Sequence, residues 1–117
     1  MKKFSLIMVV VMAMSLVLSA CAPTASGTPD CSKPDVFCIG MVTDVGKVDD
    51  KSFNQSAWEG VKQAEKELGA KVQYIETADA KDFAKNIATF GDAKYDVIVT
   101  VGFALGEATT AAEIPRR

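Results

Sequence analysis

The sequence predicts an α/β fold, a Rossmann-like parallel sheet with helices on its faces. Three observations carry this. Short apolar runs near 36–43, 72–77 and 95–101 are suited to buried strands. Between them lie segments whose apolar residues recur at helical spacing. The order is therefore strand, helix, strand, helix, strand, helix, which demands parallel pairing with right-handed crossovers. In open sheets of this kind, ligands bind beyond the carboxyl ends of the strands.

The chain has 117 residues, of which 49% are hydrophobic, and suits one globular unit. There is no basic run, and a pI near 5.1 argues against a nucleic-acid partner. Histidine is absent, which removes the commonest general base and the commonest metal ligand. Neither a metal nor a cofactor is expected.

Residues 1–20 read as a secretory signal rather than as fold. Lys2 and Lys3 precede an apolar run, Leu6 to Leu18, that is short for a membrane span. It ends in Leu18-Ser19-Ala20-Cys21, the pattern of a bacterial lipobox, in which Cys21 is acylated after cleavage. The plainer alternative is an ordinary signal followed by a chance cysteine. Several acyl chains on Cys21 would hold the protein on the extracytoplasmic face of the cell membrane. Loss of 1–20 leaves 11 basic and 15 acidic residues, a charge of −4. Residues 21–35, rich in Ala, Pro, Ser, Thr and Gly, read as a flexible tether. Cys31 and Cys38 are an even pair in an exported chain, which favours a disulfide over two free thiols.

The first strand, about 36–43, is apolar on both faces, as a central parallel strand should be. Ser52 and Gln55 fit a capping box at the start of a helix. Ala57, Val61, Ala64 and Leu68 then share one face, and Gly69 marks the stop. After the second strand, Asp79 caps a helix that buries Phe83, Ile87 and Phe90, with Gly91 at its end. The β-branched run Val97-Ile98-Val99 marks the third strand, and a third helix is expected over 104–113. Three strands bury a thin core, so 36–117 reads as part of a larger α/β lobe.

Candidate chemistry collects at the strand ends. Phe53, in the first turn of a helix, suits stacking on a flat ligand, or else packs under the loop. Asn54 can pair with a base edge, or simply be solvated. Asp44, Asp49 and Asp50 can accept from sugar hydroxyls, or be acids drawn to a helix N-terminus. Paired carboxylates also suit acid–base work or a divalent cation, but no nucleophile or phosphate cradle accompanies them. The run Gly46 to Ser52 lacks the second glycine of a P-loop, and Lys51 comes one residue early. Glu107 is either a ligand contact or a solvated first-turn acid.

Thr43-Asp44-Val45-Gly46, Asp49-Asp50-Lys51-Ser52-Phe53-Asn54-Gln55 and Val101-Gly102-Phe103, behind a lipobox, resemble the basic membrane protein (BMP) family of bacterial lipoproteins. The resemblance covers about 38–112. It implies the first half of the N-terminal lobe of a type I periplasmic-binding-protein fold, with no enzymatic activity. It also implies capture of a purine nucleoside for an ABC permease and ATPase. Phe53 would stack on the base and Asn54 would help hold it. An acid after the Gly102-Phe103 segment, which follows the third strand and so faces a ligand, would also contact the nucleoside, and Glu107 stands where an Asp is usual. Asp44 and Ser52 belong to the same cleft edge. Many relatives carry a glycine where this chain has Lys47. The alternative is a ligand-sensing lipoprotein of the same fold with no transport role. A hydrolase using Asp44 and Asp49 ranks third.

Overall fold

A computed structural model describes residues 28–112. The signal 1–20, the acylation site Cys21 and the start of the tether lie outside the described residues, as does Glu113. The strands are β1 (Cys38–Val45), β2 (Lys71–Thr77) and β3 (Val97–Val101). The helices are α1 (Phe53–Leu68), α2 (Phe83–Asp92) and α3 (Gly106–Ala111). One-turn 3₁₀ segments, Ala80–Asp82 and Phe103–Leu105, lead into α2 and α3. The three strands form one parallel sheet in the order β2-β1-β3. Among the described residues, no helix is long and apolar enough to cross a membrane.

β1 begins and ends two residues later than its apolar run suggests, because its ends are set by its neighbours. The Cys38 N–H donates to the Asp96 carboxylate at 2.8 Å, and the Asp96 N–H returns a bond to the Cys38 carbonyl at 3.0 Å. On the other edge, the Lys71 N–H donates to the Phe37 carbonyl at 2.7 Å. The same clasp delays β3 to Val97. Tyr95 packs instead in the core and donates to Gln73 Oε1 at 2.8 Å.

The pleat of β1 divides two cores. Ile39 and Met41 face α1, with Val61, Ala70 and the half-buried Ala57, Trp58 and Ala64. Cys38 and Val42 face Phe83, Ile87 and Phe90 of α2, together with Leu105 and Ala108. The α2 stripe is therefore the one its spacing implied. Leu68 departs from expectation: it is 67% exposed, because the last turn of α1 has run past its apolar cover. Gly69 ends α1 in the left-handed conformation at φ 68°. Gly91 is buried inside α2, and Lys94, at φ 63°, makes the turn after that helix.

Part of the stretch read as a tether is packed onto the fold. Residues 31–35 form turns, Cys31 is buried, and a disulfide joins it to Cys38 at the head of β1. The chain is thus fixed to the core seven residues before the strand starts.

Gly40 is required for a steric reason. A Cβ there would lie 2.5 Å from Cγ of the buried Phe90 ring. Gly40→Ala should lower unfolding stability by about 1–3 kcal/mol through overpacking, read by urea or thermal unfolding. Replacing Cys31 and Cys38 together by Ser should cost about 2 kcal/mol for so short a loop. Non-reduced peptide mapping should recover the two cysteines in one linked species, and recovery as two alkylated thiols would contradict the pairing.

Candidate functional site

The sheet order creates the site. From β1 the chain goes through α1 to β2 on one side. It then crosses back through α2 to β3 on the other side, with α1 and α2 on opposite faces. At such a reversal the two loops leaving β1 and β3 diverge and open a crevice. Here the crevice has a volume of about 510 Å³ and is lined by Asp44, Asp50, Phe53, Asn54, Val101, Gly102, Phe103 and Gly106.

Six of the residues named from the sequence meet in it, Asp44, Asp50, Phe53, Asn54, Gly102 and Phe103, while the exposed Asp49 does not line it. Ser52 and Glu107 are exposed and do not line it. Ser52 is the residue before α1, but its hydroxyl makes no capping bond. The expected capping box is absent, and Gln55 instead donates from its side chain to Glu59. Asp50 takes over the cap. Its carboxylate accepts from the backbone N–H groups of Ser52 at 2.7 Å, Gln55 at 3.1 Å and Asn54 at 3.2 Å. The left-handed Lys51, φ 57°, lets the chain fold back far enough for this.

Desolvation pushes the Asp50 carboxyl up, but the donors of Gln55, Ser52 and Asn54 outweigh it and hold it below the ordinary 3.8. The consequence is electrostatic. The first free donors of α1, the usual place for an anionic ligand, are already occupied by a carboxylate.

Asp44 is aimed by two features. Pairing with β2 slips between Val42 and Val45, so that Val42 opposes Ile75 and Val45 opposes Thr77. Such a bulge re-aims the residues inside it. On the other edge Thr43 pairs with Val101, which sets Asp44 beside Gly102. Gly102 has φ 113°, and a Cβ there would collide with the Asp44 carboxyl. The buried Thr43 hydroxyl fixes this corner. It accepts from the Thr77 N–H at 3.3 Å and lies 2.9 Å from the Asp44 carbonyl and 3.2 Å from that of Gly46.

Asn54 is only 4% exposed, so it is not a solvated first-turn residue. Its Nδ2 donates to the Lys47 carbonyl at 3.2 Å and lies 3.5 Å from Asp44 Oδ1. Both are acceptors, which fixes the amide orientation. Phe53 is 76% exposed and Phe103 fully exposed, so neither packs as local core.

The site therefore offers two free aromatic faces, two carboxylates and one oriented amide. Its lining holds no basic side chain. Among the described residues no group of three metal-ligating side chains converges. Val101 belongs to the motif Val101-Gly102-Phe103 but had no expected role, and nothing in the sequence singles out Gly106 or Glu76, which accepts from the Val48 N–H and Lys47 Nζ. Gly106 follows Gly102 by four residues, a spacing that carries no signal without the 3₁₀ turn between them.

Asp50 gives a pH-dependent test. A carboxylate held low in the folded state stabilises above its unfolded value near 3.8, and this contribution disappears as pH falls through the lower folded value. Asp50→Ala should therefore melt below the unsubstituted protein at pH 7. The gap should narrow on acidification below pH 3.8, and a gap independent of pH would contradict the role.

The family described as "Bmp: ABC transporter substrate-binding protein PnrA-like" matches residues 37–113. A "CD4+ T-cell-stimulating antigen" of Listeria innocua serovar 6a is 39% identical over 92% of this chain and 32% of its own length. The "ABC transporter nucleoside-binding protein BmpA" of Lactococcus lactis subsp. cremoris is 34% identical over 95% of this chain and 33% of its own. The chain thus spans about a third of the length of these curated relatives. Among solved structures, ABC transporter system solute-binding proteins from Aeropyrum pernix K1 superpose with a TM-score of 0.57 at 30% identity, over 62% of this chain and 20% of theirs. A fragment from Peptoclostridium difficile 630 has the same TM-score at 23% identity, over 63% and 61%, a likeness of fold. On these matches the chain belongs to the Bmp family of PnrA-like ABC transporter substrate-binding proteins.

Proposed function

We propose that this chain forms one wall of a purine-nucleoside site, in a lipoprotein that captures the nucleoside outside the cell for ABC-type import. The observation that carries the reading is the pairing of two exposed phenylalanines, Phe53 and Phe103, with an acid-lined crevice. Exposed aromatic faces at a concave site suit a flat ring, because stacking needs a π-face rather than a particular hydrogen-bond pattern.

The polar groups narrow the ligand class. Asp44 and Asp50 line the crevice, no basic side chain does, and the α1 donors are taken by Asp50. A phosphorylated ligand would meet like charge with no compensating donor. A neutral nucleoside would instead bring hydroxyl and ring N–H donors to the carboxylates. In this reading Phe53 and Phe103 hold the base, Asn54 addresses its edge, and Gly102 lets the backbone approach closely. Ser52 and Glu107 lie outside the lining and contribute less.

The named function of the Lactococcus lactis relative supports this assignment. The missing wall would come from the rest of a longer protein, since the relatives are about three times as long. Capture is then closure of two lobes over the ligand, with no covalent chemistry. Cys21 would carry the lipid that keeps the protein on the extracytoplasmic face, beside its permease and ATPase.

The test is calorimetric titration of the full-length protein with nucleosides and the matching nucleoside monophosphates. Nucleosides should bind and monophosphates should not. Phe53→Ala and Phe103→Ala should each weaken binding about 5- to 150-fold, corresponding to about 1–3 kcal/mol per stacked base. Absence of nucleoside binding, or unchanged affinity in both variants, would overturn the reading.

A further inference from the structure

We infer that Glu76, at the end of β2 and outside the crevice, is a positioning residue that sets the orientation of Asn54 through a single peptide unit. Glu76 Oε1 accepts from the Val48 N–H at 2.8 Å. The carbonyl of that same peptide, the oxygen of Lys47, accepts from Asn54 Nδ2 at 3.2 Å. A peptide group is planar, so its N–H and C=O cannot turn independently. Holding the N–H from β2 therefore fixes where the carbonyl points in the crevice. The carboxylate also polarises the peptide, which strengthens the carbonyl as an acceptor.

The surroundings support this over a purely structural role. The peptide 47–48 lies in a loop between β1 and α1 and belongs to no helix or strand. Glu76 is its hydrogen-bonding link to β2. The Glu76 side chain is 25% exposed and receives Lys47 Nζ on its second oxygen at 2.9 Å. Lys47 is itself 76% exposed, so the ion pair adds little, while the bond to Val48 is directional. Asn54 has one further acceptor, Asp44 Oδ1, at 3.5 Å. With the Lys47 carbonyl displaced, that longer contact alone would orient the amide, and the Asn54 oxygen would lose its fixed direction.

The sequence provides a clean readout. Its two asparagines are Asn54 and Asn86. Asn86 donates from Nδ2 to Thr77 Oγ1 at 3.0 Å and so reports on the end of β2 itself. Selective ¹⁵N-asparagine labelling of the full chain then gives one reporter for the loop and one for the strand. In Glu76→Ala, the Asn54 side-chain amide should shift and exchange several-fold faster with solvent, while Asn86 stays unchanged. Glu76→Gln keeps an oxygen for the Val48 N–H and should restore the Asn54 signal. Lys47→Met should leave both reporters unchanged.

An unmoved Asn54 in Glu76→Ala would overturn the inference. So would Asn54 and Asn86 moving together, which would mark a disturbed strand rather than a turned peptide. Failure of Glu76→Gln to restore Asn54 would overturn it as well. A second arm rests on the nucleoside reading: in full-length protein, Glu76→Ala should weaken nucleoside binding about three- to tenfold, with Glu76→Gln near the unsubstituted protein. The two claims are separable. Movement of Asn54 in a protein that binds no nucleoside supports the positioning role and removes only the ligand assignment.

Discussion

The strand β1 has to hydrogen-bond on both edges and bury both faces at once, and everything else in the fold answers to that demand. Its edges are filled by β2 and β3. Its faces are filled by α1 on one side and by α2 with the start of α3 on the other. A strand so enclosed has little freedom in what it carries. At Gly40 even one added carbon meets the Phe90 ring. The Cys31–Cys38 bridge and the Asp96 clasp both act at its head, where the chain enters the core. The amino end of β1 is therefore fixed, and its carboxyl end leads, past the bulge after Val42, into the loop before α1.

The crevice opens at that carboxyl end, and sheet topology explains why. Strands added on opposite sides of β1 send their connections over opposite faces. The loops after β1 and β3 part as a result and leave a gap that neither helix covers. The bulge after Val42 and the positive φ of Gly102 then bring the Asp44 carboxylate and the Gly102 backbone together at the floor of the gap.

Charge around the crevice is arranged against anions. Most helix N-termini facing a ligand site offer free N–H donors and a positive dipole end. Here Asp50 folds back onto those donors. It caps α1 and adds a second carboxylate beside Asp44. What the crevice presents to an uncharged ring is the exposed faces of Phe53 and Phe103 and the oriented Asn54 amide.

The sequence by itself determined the element order, the parallel sheet and the stripe Phe83, Ile87, Phe90, because these follow from local apolar spacing. It also pointed to Asp44, Phe53, Asn54, Gly102 and Phe103, because its motifs fall at the carboxyl ends of strands. The strand limits were not legible, since Asp96 and Phe37 set them across the sheet. Nor was the cap on α1: Ser52 and Gln55 fit a local rule, yet the left-handed Lys51 brings Asp50 into the place of the Ser52 hydroxyl. The exposure of Leu68 depended on where the apolar cover ends, and the part played by Glu76 on a peptide 28 residues earlier. Periodicity and motif spacing are properties of neighbours along the chain. Register, bulges and the meeting of loops depend on which strands lie side by side, and that was decided only when both faces of β1 were buried.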